Sequence, residues 1–226
     1  MQHRYSGDIG DFSKFALLRA LAPGRTAGLA WYLCDGAGEK NNDGQHIAYL
    51  EQPHRFRHLD PATFDGLRTL VLARKRSVPH LEAAKLVKGV RYHGEVVPRS
   101  REDRSRWFAG LQSKLDACDL VMADPDNGFE PATISPKCIT WDEIRALRRR
   151  GRALLLYHHQ TRRAGGAKAE VAHFSRLLKS HGAKSVRAIR FRPFSSRFYF
   201  VVDHDAALDA RLERFAKLWA GEAELF

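Results

Sequence analysis

The stretch Asp119–Glu130, DLVMADPDNGFE, decides how this chain is read. Leu120–Ala123 is a short unbroken apolar run, the pattern of a strand buried on both faces. It stops at Asp124-Pro125-Asp126-Asn127-Gly128, where proline withholds a backbone donor and glycine permits a turn. A buried strand that carries two carboxylates and an amide to its C-terminal tip is how an open α/β sheet presents reactive groups in a crevice. Asp124, Asp126 and Asn127 are therefore the first candidate catalytic residues.

Similar runs lie on both sides. Leu29–Cys34 (LAWYLC) reads as a strand followed by the glycine turn Asp35-Gly36-Ala37-Gly38, and Val90–Val97 as another. Ala153–Tyr157 (ALLLY) is a third, ending in His158-His159. Between them the spacing predicts helices. Phe12–Leu21 is amphipathic and stopped by Pro23-Gly24, and Arg101–Cys118 turns Trp107, Leu111 and Leu115 inward. Trp141–Arg150 is begun by Thr140 and ended by Gly151, Lys168–His181 stops at Gly182, and Ala206–Trp219 comes last. Leu67–Arg74 and Pro79–Val87 are ambiguous in period, the second nearer to a helix. Ser185–Phe191 and Arg197–Val202 flank the short connection Pro193–Ser196, which predicts an antiparallel hairpin. Residues 39–66 are polar and rich in His and Asp, and read as an active-site insertion or lid with a short helix near Gly44–Leu50.

With 226 residues, one α/β domain is the economical reading, and 44% apolar residues make the chain globular rather than disordered. A net charge of +12 points to a polyanionic partner, RNA or DNA, because Lys and Arg displace counterions from phosphates. The segment Arg187–Arg197, RAIRFRPFSSR, alternates Arg with apolar or aromatic residues. On a strand this places guanidinium groups on one face, as a nucleic-acid backbone requires and as any half-solvated strand also shows. Three cysteines with no CxxC pair suit a reducing cytoplasm and argue against a zinc knuckle or a disulfide framework. The N-terminal MQHRYSGDIGD is too polar for a signal peptide, and no apolar run approaches the about 20 residues that span a bilayer. The expectation is a cytoplasmic protein with no membrane partner.

Strands alternating with helices and closing on a hairpin are the order of a mostly parallel sheet, helices on both faces, with an antiparallel addition near the end. That order resembles the class I S-adenosylmethionine-dependent methyltransferases, whose fold is Rossmann-like. The segment Tyr5–Leu18, YSGDIGDFSKFALL, is similar to the opening of the bacterial large-subunit ribosomal RNA adenine methyltransferases. In those enzymes G-N-x-A-D-x-x-K-H precedes the first helix and contributes to the cofactor site. Gly7, Gly10, Asp11 and Lys14 match that pattern, while Asp8 replaces Asn and Phe15 replaces His. The resemblance implies that these residues bind S-adenosylmethionine together with Asp35, Gly36 and Gly38, whose backbone would admit the cofactor.

The adenine methyltransferases carry Asp-Pro-Pro-Tyr at the strand tip, where the Asp and the first proline carbonyl accept hydrogen bonds from the target amino group. Here Asp124 and Pro125 agree, Asp126 and Asn127 replace the second proline and the aromatic, and Phe129 offers a stacking face two residues later. His158 or His159, at a neighbouring strand tip, is placed to remove or relay a proton, and Arg162 and Arg163 to grip a phosphate. Methyl transfer of this kind rests on positioning and requires no metal. Two rival readings stand beside it. Asp8, Asp11, Asp124, Asp126 and the nearby histidines also suit a Mg²⁺- or Mn²⁺-dependent nuclease or phosphodiesterase. The positive charge alone suits a non-catalytic nucleic-acid-binding protein.

Overall fold

A computed structural model describes residues 1–35, 44, 46–129 and 134–226 of the chain. Its centre is β3 (Leu120–Ala123), every residue of which is buried. β3 pairs in parallel with β1 (Ala27–Ala30) on one side and β4 (Ala153–His159) on the other, and β2 (Arg91–His93) adds in parallel to β1. β6 (Arg197–Val202) runs antiparallel to β4, β5 (Val186–Phe191) antiparallel to β6, and β7 (Ala223–Leu225) pairs with β5 at the edge. The order is β2-β1-β3-β4-β6-β5-β7 among the described residues. β6 is therefore an antiparallel strand between two that point the same way.

Period-two alternation sorts the strand side chains into two cores. Leu120, Met122, Leu155 and Val201 face a layer containing α1 (Ile9–Leu21), α3 (Pro61–Leu72) and α8 (Ala206–Leu218). The short helices α2 (Pro53–Phe56) and α4 (Val78–Ala83) lend Phe56, Val78 and Leu81 to the same side. Val121, Ala123, Leu154, Leu156 and Phe200 face α5 (Arg101–Lys114), α6 (Trp141–Leu147) and α7 (Gly166–Ser180). Helices thus cover both faces of a mixed sheet, as the order of elements predicts. No helix among the described residues is long and apolar enough to cross a membrane. Cys34, Cys118 and Cys138 are buried free thiols.

Several boundaries and one face differ from expectation. β1 starts two residues early because Gly28 is a strand residue here. A Cβ at that position would stand 2.9 Å from Leu115 Cδ2 and 3.0 Å from Cys118 Sγ, so the glycine marks where α5 packs onto the strand. β1 also ends early: its last pairing with β3 is Ala30 with Ala123, and beyond it the Tyr32 carbonyl accepts from the Met1 ammonium at 2.9 Å. Leu33 keeps one isolated bridge to Val96. α1 is not amphipathic but buried almost all round, with Ser13 and Lys14 as well as Phe12, Phe15 and Leu18 inside.

Part of the segment read as a lid is helical and contributes to the core. Asp60 accepts a hydrogen bond from Thr63 N at 3.1 Å and Pro61 takes the first position of α3. Tyr49 stacks on Phe12 at 5.4 Å between ring centroids, and Trp219 packs on Phe12 at 5.1 Å. Burying each such ring contributes about 1.5–3 kcal/mol. These contacts fix the start of α1 against the rest of the molecule.

Candidate active site at the strand tips

A cavity of about 280 Å³ opens where the C-terminal tips of β3 and β4 meet the N-terminus of α1 and the start of β6. Its walls are built by local rules. Asp8 caps α1, its Oδ1 accepting from Asp11 N at 3.1 Å, and Gly7 N donates to Asp11 Oδ2 at 2.8 Å. Gly7 has φ +84°, and a Cβ there would lie 2.6 Å from Val71 Cγ2, so a side chain is excluded twice over. One turn into α1, Lys14 Nζ reaches Asp11 Oδ1 and Asp124 Oδ2, each at 2.7 Å, and lies 4.7 Å from the centroid of the Trp31 ring. Lys14 thus ties the N-terminal segment to the tip of β3.

The electrostatics follow from burial. Asp8, Asp11 and Asp124 are all pushed above the ordinary carboxylate range by loss of water, opposed at Asp11 and Asp124 by the Lys14 charge and at Asp8 first by Arg197 and then by Lys14. Burial alone would pull the Lys14 ammonium down, but Asp11 and Asp124 outweigh it and push it up. Asp124 Oδ2 lies 2.7 Å from the Lys14 ammonium, and no other donor among the described residues reaches it. Asp126 is held from outside the sheet. Its Oδ1 lies 2.9 Å from the Met1 ammonium and its Oδ2 accepts from Gln2 Nε2 at 2.7 Å. Asn127 is exposed at the cavity edge, its backbone N–H bonded to the Lys137 carbonyl at 2.9 Å.

The histidine doublet is divided by the pleat of β4. His159 lines the cavity with Tyr157, whose hydroxyl is 3.5 Å from His159 Nδ1. His158 points into the opposite core, its Nε2 3.2 Å from Glu170 Oε1 and its ring 4.2 Å from that of Phe174. Phe129 belongs to the same core, 4.8 Å from the His158 ring, and presents no face to the cavity. The turn after β3 presses directly on this arrangement. A Cβ on Gly128, whose φ is +99°, would fall 2.3 Å from His158 Nδ1 and 2.8 Å from His158 Cα.

Of the other residues singled out from the sequence, Asp8, Gly10 and Asp11 line the cavity, whereas Gly7 stands behind its wall. Asp35 is exposed and not part of the lining, and Gly36 and Gly38 lie outside the described residues. Arg162 and Arg163 are also elsewhere, in a shallow depression with His173 and Arg176, where Arg163 lies over the Phe174 ring at 5.5 Å. Sequence reasoning missed Arg197 as a site residue. It begins β6, is 2% exposed, lines the cavity, and donates from Nη2 to Ser195 Oγ at 2.8 Å. The available signal was an arginine opening the otherwise apolar run RFYFVV.

Among the described residues no group of three or more His, Cys, Asp and Glu side chains is placed to hold a metal ion. Asp11 and Asp124 each form an ion pair with Lys14. No protein-family model and no curated protein matches the chain.

Proposed function

We propose that this protein is an S-adenosylmethionine-dependent methyltransferase acting on a nucleic-acid base. The observation that carries the reading is the Asp11–Lys14–Asp124 bridge. It joins the segment that the resemblance assigns to the cofactor to the strand tip that it assigns to the methyl acceptor. A parallel half followed by antiparallel β6 and β5 is also the layout that the resemblance implies for a Rossmann-like methyltransferase fold. The net charge of +12 suits a nucleic-acid substrate.

The residues present fit the cofactor in kind. The lining is rich in carboxylates, which suits a ligand that carries a sulfonium charge, even though Asp126 is paired with the Met1 ammonium and Asp8 caps α1. The cavity is near the lower end of small-molecule pockets, about 300 Å³. When bound, the cofactor supplies an electrophilic methyl group. Asp124 Oδ2 accepts a hydrogen bond from the acceptor's amino group, and Lys14 keeps that carboxylate ionised and aimed. His159, rather than His158, receives the proton released, since it alone of the pair faces the cavity. Tyr157 and Tyr199 wall the site against water, their hydroxyls pushed far up by burial.

The test is ligand-dependent stability followed by transfer. S-adenosylhomocysteine should raise the melting temperature with EDTA making no difference, and labelled methyl groups should pass from S-adenosylmethionine to RNA or DNA. Stabilisation by Mg²⁺ or Mn²⁺ with EDTA-sensitive cleavage would overturn the proposal in favour of a nuclease. Oligonucleotide binding with no response to either ligand would leave a binding protein.

A further inference from the structure

Arg197 is a buried cation that forms no ion pair within 4 Å among the described residues, although the Asp8 carboxylate feels its charge. Its Nη1 has no hydrogen-bond partner there, and its Nη2 bonds only a neutral hydroxyl. Asp8 itself is occupied in capping α1. Burying a charge unpaired is strongly unfavourable, and such a group persists where a ligand brings the opposite charge. Arg197 is fixed in place by pairing with His159 of β4 and Phe191 of β5, so its guanidinium is presented to the cavity by the sheet itself.

The hairpin that precedes it carries a second oddity. Phe194 sits at φ 62°, a left-handed conformation that a bulky residue rarely adopts, and is 46% exposed. Its ring lies 5.7 Å from the ring of His46, which lines the cavity, while the next residue, Ser195, is the one bonded to Arg197. A strained hairpin therefore holds a half-exposed aromatic ring beside the lining residue His46, packed also on Phe56 at 6.4 Å. It also holds a guanidinium in the lining itself, a pairing suited to a base and its phosphate.

We propose that the β5–β6 hairpin forms a nucleotide subsite, in which Arg197 and Ser195 take a phosphoryl group and Phe194 stacks on the base. This deepens the methyl-transfer reading by placing the acceptor's phosphate, although the anion site stands without it. The sheet order favours the acceptor over the cofactor carboxylate as the anion. Arg197 flanks β4, and both β4 and β3 separate it from β1, which leads to the glycine turn that the resemblance gives to the cofactor.

The experiment is thermal shift and calorimetry with inorganic phosphate, adenosine 5′-monophosphate, adenosine and S-adenosylhomocysteine on the wild type, Arg197→Gln, Ser195→Ala and Phe194→Ala. Phosphate and the monophosphate should stabilise the wild type, and adenosine much less. Arg197→Gln should weaken the monophosphate about ten- to a hundredfold, the loss expected for one charge-assisted contact. Phe194→Ala should weaken the monophosphate and leave phosphate unchanged. Should Arg197→Gln fail to fold, Ser195→Ala must still weaken phosphate. The inference is overturned if phosphate and the monophosphate do not bind, if they bind Arg197→Gln undiminished, or if only S-adenosylhomocysteine depends on Arg197. Unaltered S-adenosylhomocysteine binding without any phosphate effect removes this subsite and spares the methyl-transfer reading. Arg197-dependent phosphate binding without S-adenosylhomocysteine binding does the reverse.

Discussion

Lys14 holds two carboxylates that would otherwise repel each other in a space without water. Both Asp11 and Asp124 lie 2.7 Å from its ammonium, so replacing it strands two negative charges at once. Lys14→Met should therefore lower unfolding stability at neutral pH by about 3–5 kcal/mol, the usual consequence of removing one partner of a buried pair. The pH dependence gives the prediction a sign. Burial raises both carboxyl groups in the folded state, so the folded protein binds protons more tightly than the unfolded chain. Stability of the variant should then rise as pH falls from neutral towards the ordinary carboxylate value of about 4. Urea titrations of wild type and variant across that range check it, and a deficit that does not shrink on acidification would contradict the electrostatic account.

At the scale of elements, α6 and the segment leading into it depend on one ion pair. Glu143 completes a capping box with Thr140, and its carboxylate takes Arg104 Nε at 2.7 Å and Nη2 at 2.9 Å. Arg104 in turn donates to the carbonyls of Ser135 at 2.8 Å and Cys138 at 2.6 Å, positioning the stretch that brings Lys137 to the cavity. Glu143→Ala loses the cap and strands a buried guanidinium, and should cost about 3–5 kcal/mol by chemical denaturation. Arg104→Met combined with Glu143→Leu should recover much of that loss, as the charge and its partner leave together. Thr140 and the helix after it were legible in the sequence because the capping signal is local. α3 was not, since its Asp60-Pro61 start lies inside a polar stretch that resembles a loop. β7, three residues long, offers no period to detect. The strand tips were legible from LVMA and ALLLY, which are apolar without interruption. Alternation along β4 says that His158 and His159 face opposite ways but not which one meets the cavity. The same limit hid Arg197 among the arginines of RAIRFRPFSSR.

For the molecule as a whole, the two cores enclose several phenols. Tyr32, Tyr49, Tyr157 and Tyr199 are all raised above the ordinary tyrosine value, in each case first by burial. Cys34 is likewise pushed up to about 11 by loss of water. In the unfolded chain the phenols ionise near pH 10, so that state gains by releasing protons which the folded state keeps. Their contribution is complete below about pH 10 and falls above it by about 1.4 kcal/mol per pH unit for each phenol. Alkaline unfolding should therefore be steep, with tyrosinate absorbance rising in the same step as tryptophan fluorescence changes. Phenols that titrate while fluorescence stays native would show that the rings are wetter than their packing allows.

The place of β6 also bears on how the polypeptide is made. β5 leaves the ribosome before β6, yet both of its neighbours, β6 and β7, are synthesised after it. Until residue 202 has emerged, the nascent chain carries a gap in the sheet with a bare edge on β4 and another on β5. Those edges can recruit foreign strands, so translational pausing or premature termination in this interval should yield aggregation-prone products that dependence on chaperones would reveal.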